Sequence, residues 1–466
     1  MKRAPSRRAL AIVAMLCVIS FISASSLRDA RADPVAQPVS SSSTTPSSNL
    51  GSSNTTGSSI ATALSTGTPE AISANPGAVD IVIGTGLLGR LIKLDKVPGV
   101  RLGGLWIGNS DYLITGGVKP HSWSFNSLLV VNLNVDAEKL ADIPGASFDA
   151  ALLQFNGENV NQRGGLVIGY DGLPGPRPLV RTQLYELWWR QKLFDDHLIL
   201  RVGKTVPTFD FDNVCRPVPV EDQSLSIPAV TSLIYTPIFK NPTMIGQMPG
   251  YYNSAYGITA QYVPNRHLYL TYAFYDGALG TSVQTGLRPA PVFDGHYFTI
   301  AEGGYAWMLG DGKLPGTVAA GGWAETGHLA NAGAEENGAH GFYSFGSQRL
   351  WRRHAGIDNS GISGFFQFGI NDSRTMIANE YFGLGLTGFG LVPRRPADSM
   401  GAGIAWSWLN RRFGFRSNEL MLQSYYQMHL VGSTFLEPVI SYVPNPGIKP
   451  GSTGVVAATV QVVVLF

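Results

Sequence analysis

The last eleven residues, Val456 to Phe466, limit the fold more than any other stretch of this 466-residue chain. Every second position back from the end is apolar (Phe466, Val464, Val462, Val460, Ala458, Val456), whereas the intervening set (Leu465, Val463, Gln461, Thr459, Ala457) is mixed. Period 2 is the period of a β-strand. In water, a terminal strand with one continuous apolar face is an aggregation-prone edge. In lipid, it can close a barrel by pairing with the first strand and turning that face outward.

The N-terminus sets the compartment. Lys2, Arg3, Arg7 and Arg8 precede an apolar run from Ala9 to Ile22, and Ala30-Arg31-Ala32 offers a small-x-small cleavage site. This pattern predicts a secretory signal peptide over residues 1–32, too short and wrongly flanked for a spanning helix. Ser6-Arg7-Arg8-Ala9-Leu10 is a faint twin-arginine pattern, but that route carries folded proteins and a barrel must cross unfolded. Six of the 34 Lys+Arg and one of the 32 Asp+Glu lie in those 32 residues, leaving 28 basic and 31 acidic side chains, net −3. The apparent basicity therefore belongs to the export signal, and no basic stripe points to nucleic acid. The mature chain keeps one cysteine, Cys215, which has no internal partner for a disulfide.

Residues 33–78 are dominated by a Ser/Thr tract with almost no aromatics, which predicts a disordered leader. From residue 79 to 466 glycine, aromatics and short alternating runs take over, and no stretch of 18 apolar residues follows the signal. Insertion into a membrane must then be by strands. The clearest hairpin runs from Ala255 to Tyr275: Tyr256, Ile258, Ala260 and Tyr262 share one face, Pro264-Asn265-Arg266 turns the chain, and Leu268, Leu270, Tyr272 and Phe274 repeat the apolar face. Tyrosines near strand ends with aliphatics between them fit a lipid-facing band with aromatic girdles. Further hairpins are predicted from Gln183 to Lys204 about Asp195-Asp196, from Ser127 to Phe155 about Asp136-Pro144-Gly145, and from Glu419 to Val443, the last interrupted by Pro438.

About 390 mature residues, at ~10 residues per strand plus turns and loops, suit an all-β transmembrane antiparallel barrel of about 16 strands. Barrels of that size hold a water-filled lumen. A soluble β-sandwich would also alternate, but 22 Phe, 18 Tyr and 9 Trp beside only 14% charged residues make a poor soluble surface.

Several blocks carry a family resemblance. Leu184-Tyr-Glu-Leu-Trp-Trp-Arg-Gln-Lys-Leu-Phe-Asp-Asp-His-Leu-Ile-Leu-Arg-Val-Gly-Lys204 resembles the LYELWYEQ…LRLGQ hairpin of the carbohydrate-selective outer-membrane porins (the OprB type). Tyr252 to Ile258 with Phe274 to Gly277, Leu314 to Gly327, Tyr381 to Leu386, and Tyr442 to Gly447 fit the same pattern in the same order. The stretch Gly84 to Arg90 is only a loose counterpart of the family's Trp-Gly-Gly-Leu-Arg-like opening segment. The resemblance implies a 16-stranded porin in the bacterial outer membrane that passes glucose-like sugars passively into the periplasm. It also implies a homo-oligomer by analogy with other porins. The terminal Phe466 resembles the signal read by the barrel-assembly machinery, and the outer-membrane lipid is the expected surround.

No catalytic motif survives inspection. Gly203-Lys204-Thr205 resembles the end of a phosphate loop, but Leu198 stands where its first glycine is required. Neither a Gly-x-Ser-x-Gly elbow nor a His-Glu-x-x-His occurs, and the eight histidines lack ligand spacing. Asp210-Phe211-Asp212-Asn213 could offer oxygens to calcium, without the remaining ligands of a recognised site. The expectation is a channel without cofactor or metal; the alternatives are a general non-selective porin and a hydrolase embedded in the barrel.

The hairpin about Asp195-Asp196 predicts where selectivity resides. A two-residue loop pairs Leu193 with Leu198 and, further out, Arg190 with Arg201. Leu198, Leu200, Val202, Leu193, Trp189, Leu187 and Tyr185 then form the lipid face, and Glu186, Trp188, Arg190, Ile199 and Arg201 the lumen face. Like charges placed opposite each other destabilise a sheet, so this register requires water or a carboxylate such as Glu186 between the two arginines. Glu186, Trp188, Arg190 and Arg201 are the candidate pore-lining residues, because Arg and Glu hydrogen-bond sugar hydroxyls and Trp offers a flat apolar surface.

Overall fold

The computed structural model describes residues 85–466 apart from 174, 176–178, 213, 215–240, 251–252, 266, 311–313, 332 and 355–359. The expected signal peptide (1–32) and Ser/Thr leader (33–78) lie outside the described residues. Residues 85–99 form the short helix Leu87–Leu91 and a 3-10 turn, Leu94–Lys96. The described part of the loose Gly84–Arg90 counterpart is thus turn and helix, Gly84 lies outside the described residues, and the wall itself begins at Val100.

Sixteen strands follow: β1 (Val100–Thr115), β2 (Ser122–Asp136), β3 (Ala146–Asn156), β4 (Arg181–Leu193), β5 (Leu198–Thr205), β6 (Ala255–Asn265), β7 (Leu268–Asp276), β8 (Tyr297–Leu309), β9 (Leu314–Asn331), β10 (Ala334–Arg352), β11 (Gly361–Asn371), β12 (Ala378–Phe389), β13 (Ser399–Leu409), β14 (Asn418–Val431), β15 (Thr434–Val443) and β16 (Val455–Leu465). Each pairs antiparallel with its sequence neighbours, and β16 closes on β1. All wall backbone groups can then bond between strands, as a lipid surround demands.

The closing seam follows the alternation. Leu105 to Leu113 of β1 pair with Leu465 to Ala457 of β16, and beyond the ladder Phe466 exchanges both backbone hydrogen bonds with Gly104 (2.9 and 3.0 Å). Val460 is 44% exposed, whereas Ala457, Thr459, Gln461, Val463 and Leu465 are buried. A Cβ on Gly104 would stand 2.1 Å from the Val130 carbonyl oxygen and 3.0 Å from the Phe466 ring, so glycine is required where the chain end docks.

The other hairpins form, although β6 runs on through Pro264 and Asn265 after a register shift past Tyr262, and Arg266 of the expected turn lies outside the described residues. Ile258, Tyr262, Leu270 and Tyr272 lie on the outer face. Outward rings also mark both rims, with Tyr112, Trp123 and Tyr442 at one end and Trp189, Tyr305 and Trp351 at the other. Asp195 and Asp196 both take positive φ (55° and 67°), the signature of a type I′ turn. Pro438 sits within β15 on the outer face. The β15–β16 ladder runs straight through it, opposite Val460, while the β14 register has no partner for it. A proline supplies no N–H, so the chain spends that position where a bond is skipped.

One face assignment changes. Tyr185 is buried, not lipid-facing: the β3–β4 register slips at Tyr185, with Ala151 opposite Glu186 and Leu152 opposite Leu184. A bulge of one residue reverses the parity of everything on its far side. Tyr185 therefore joins Leu105, Ile107, Leu128, Val130, Leu153 and Phe155 in an apolar cluster inside the wall.

Connections differ sharply between the two ends. At the end bearing the chain terminus they are short, such as 194–197 and 432–433; at the opposite end, 157–180, 206–254 and 277–296 are long. Described parts of these three segments fold back inside the barrel, where Phe211, Met244 and Met248 pack with wall residues Tyr269, Phe298, Trp323, Tyr343 and Tyr381.

Candidate permeation site

On β4 and β5 the predicted register holds. Arg190 stands opposite Arg201, Trp188 opposite Gly203 and Leu193 opposite Leu198. Gly203 has φ +137°, and a Cβ there would lie 2.2 Å from the Leu187 carbonyl oxygen, so the two strands approach closely beside Trp188. All four candidate residues point into the lumen and are largely covered: Arg190 and Arg201 are 5% and 7% exposed, and Glu186 and Trp188 are buried.

The paired guanidiniums are balanced by carboxylates from three directions. Arg201 forms an ion pair with Asp210, on the short helix Pro207–Asp210 at the start of an inward segment. Its guanidinium carbon also lies 5.4 Å from the Trp188 ring centroid, a cation–π arrangement. Trp188 Nε1 donates to Glu186 Oε1 at 3.3 Å. Asp149 of β3 faces Trp188 across the ladder and accepts from Asn132 Nδ2 (2.8 Å) and Asn134 Nδ2 (3.2 Å). Glu186 is thus one of several screens, and Asp210 is in contact with Arg201. Asp210 meets Arg201 on β5 and the Asp212 backbone amide meets Glu302 on β8, so the described part of the Asp210–Asn213 motif docks the loop; Asn213 lies outside the described residues.

Each inward segment is pinned by buried polar wall groups. Asp171, in the β3–β4 connection, accepts from Asn109 Nδ2 and Asn126 Nδ2 (both 2.8 Å) and from Leu173 N (3.0 Å). Burial pushes its carboxyl above the ordinary value, and those three donors pull it back. In the β5–β6 connection, Asp212 N donates to Glu302 Oε2 (2.7 Å), which also accepts from the Tyr343 hydroxyl (2.8 Å); Glu302 Oε1 accepts from Tyr269. Burial first, with Glu302 nearby, drives the Asp212 carboxyl well above its ordinary value, while Gln367 Nε2 donates to the Asp212 backbone carbonyl (3.2 Å). In the β7–β8 connection, Lys204 Nζ caps the carbonyls of Gly286 (2.8 Å) and Arg288 (3.0 Å). Asn109, Asn126, Asp149 and Glu302 carry no mark in the sequence, and Lys204 stands out there only in the failed phosphate-loop match. Their signal is a polar residue at an inward position of a strand, readable only once each strand's parity is assigned.

A closed sixteen-stranded antiparallel barrel with an apolar outer band, a lumen lined by buried charges and long segments folded inward defines an outer-membrane porin. The sequence model described as carbohydrate-selective porin, OprB family, matches residues 127–464, and the chain belongs to that family. It is a carbohydrate-selective channel of the outer membrane. The high-pH structure of Pseudomonas putida OprB superposes with a TM-score of 0.70 at 17% identity, covering 81% of this chain and 96% of that one. The low-pH structure of the same porin gives 0.53 at 15% identity, covering 82% and 96%. At these identities the likeness is one of fold. No curated protein matches the chain in sequence.

Proposed function

We propose that the barrel passes glucose-like sugars into the periplasm by passive diffusion, and that Glu186, Trp188, Arg190 and Arg201 set the character of the polar side of that path. The observation that carries this reading is the Arg190–Arg201 pair, held side by side with Arg201 over the Trp188 indole and set among Asp149, Glu186 and Asp210. Fixed charges of both signs suit neutral polyhydroxylated solutes, which hydrogen-bond to either, and oppose free passage of ions of either sign. Because little of each arginine is exposed, these residues act through their field and through loop placement more than as open ligands.

The surrounding biology follows the same reading. Residues 1–32 direct export, residues 33–78 form a leader, Phe466 is read by the barrel-assembly machinery, outer-membrane lipid covers the apolar band, and the barrel works as a homo-oligomer. Purified protein in liposomes should admit monosaccharides without ATP, cofactor or added metal, and should admit them faster than charged solutes of equal size. Equal rates for neutral and charged solutes would favour a general pore. Ester turnover without flux would favour the hydrolase.

A further inference from the structure

Glu419 is a buried carboxylate on β14 that faces four backbone N–H groups from two connections remote in sequence. Its Oε1 accepts from Ile168 N (2.9 Å) and Gly169 N (3.0 Å), and its Oε2 from Val167 N (2.9 Å) and Gly447 N (2.7 Å). A carboxylate offers about four acceptor sites, so this group is saturated. Three successive N–H groups converging on one anion form a backbone nest, and Gly169 takes φ +97°, which favours glycine there. On the other side, a Cβ at Gly447 would lie 2.7 Å from Glu419 Oε2, so only glycine brings that N–H into reach.

The same node gathers neighbouring contacts. Ile448 N donates to Gly165 O (3.1 Å) and Arg416 N to Gly447 O (2.9 Å), which ties the β13–β14, β15–β16 and β3–β4 connections together. Val167 and Ile168 pack against Ile245, Ile377 and Leu409, bringing in the β5–β6 connection. Gln423, two inward positions along β14 from Glu419, donates to Tyr170 O (3.2 Å). Further along the same connection, Asp171 is held by Asn109 of β1 and Asn126 of β2. In the closed barrel β14, β15, β16, β1 and β2 are consecutive, so the segment is strapped along the inside of the wall with an anchor at each end.

We propose that Glu419 is the positioning residue that sets the channel's solute-size cut-off, by holding residues 165–171 against the wall and out of the path. It touches no permeant. Its effect is exerted through the strap: with the carboxylate gone, four buried N–H groups lose their acceptor and the segment is released into the lumen or toward its mouth. The inference rests on the lumen being the permeation path, which the parent channel's ion conductance tests separately.

The test compares the full-length parent with Glu419→Ala and Glu419→Gln in planar bilayers and liposomes. The glutamine keeps the volume and one acceptor oxygen, but puts an NH2 group against N–H donors. Both variants should retain heat-modifiable migration while single-channel current becomes noisier and the sugar-size cut-off shifts, strongly in Glu419→Ala and less in Glu419→Gln. A merely structural role would lower yield or stability without moving the cut-off among correctly folded channels. Should Glu419→Ala not assemble, Glu419→Gln decides alone. An unchanged current trace and cut-off in folded Glu419→Gln, or in both variants, overturns the proposal. A parent without conductance overturns the pore reading and the proposal with it.

Discussion

The wall and the inward segments of this porin are built by different rules. In the wall, contacts are local or nearly so: each strand pairs with its sequence neighbour, only β1 with β16 spans the chain, and a two-residue period tells lipid from lumen. In the inward segments, the contacts that matter cross the barrel. Glu419 holds Ile168 and Glu302 holds Asp212 through single carboxylates. The wall gains stability from a continuous ladder and an apolar outer face, while the segments gain theirs from a few buried polar anchors, each with much to lose. One substitution on the wall's outer face alters one contact among many; one at an anchor strands several buried groups at once.

The seam gives the largest expected effect. Deleting Phe466 removes the pair of backbone bonds to Gly104 and the ring that covers that glycine. Unpaired backbone groups at the lipid boundary are costly, and the outer-membrane yield and heat-modifiable fraction should both collapse. Normal yield and migration would show that closure does not depend on the chain end.

Next comes the charged pair. Arg190→Ala with Arg201→Ala leaves Asp210, Asp149 and Glu186 without their cations. Removing one partner of a buried ion pair costs about 3–5 kcal/mol, so the double variant should unfold at visibly lower denaturant than the parent. The alternation alone places these arginines on the lumen face; their burial there makes them part of the packing as well. In channels that do assemble, reversal potentials under a salt gradient should move toward cation preference. Parent-like stability and ion preference together would contradict the site.

The smallest expected effect is on pH dependence in one inward segment. Burial raises the Asp212 carboxyl, so the folded protein holds that proton more tightly than the unfolded chain does. Its contribution is therefore present below the ordinary carboxylate value of about 4 and is lost as pH rises through the raised one. Current noise arising from this segment should grow with pH in the parent. Asp212→Asn, neutral at every pH, should flatten that dependence; an identical pH profile in the two would sink the assignment.

The same contrast explains what could be read from the sequence. Alternation in Val456–Phe466 and Ala255–Tyr275 locates strands because period 2 is a local property, and the turn at Asp195-Asp196 fixes the Arg190–Arg201 pair because two residues there suffice to set a register. The inward turn of Tyr185 was beyond reach, since a bulge inserts one residue without any local mark. The β3–β4 connection was unreadable for a different reason. Its position depends on Glu419, Asn109 and Asn126, and no spacing within the segment announces partners on β14, β1 and β2. The family blocks covered mostly wall strands; one, Tyr442 to Gly447, runs into the β15–β16 connection and includes the glycine bonded to Glu419, but nothing in it points to that contact.

Hydrogen exchange on the parent channel, reconstituted in lipid, measures the central claim most directly, because local protection follows local stability. If anchored segments are as fixed as the wall, the amides of Val167, Ile168, Gly169 and Gly447 should exchange about as slowly as those of β14 and β16. They should exchange far more slowly than those of exposed turns such as 432–433. Exchange of these four amides at the rate of the exposed turns would contradict the account.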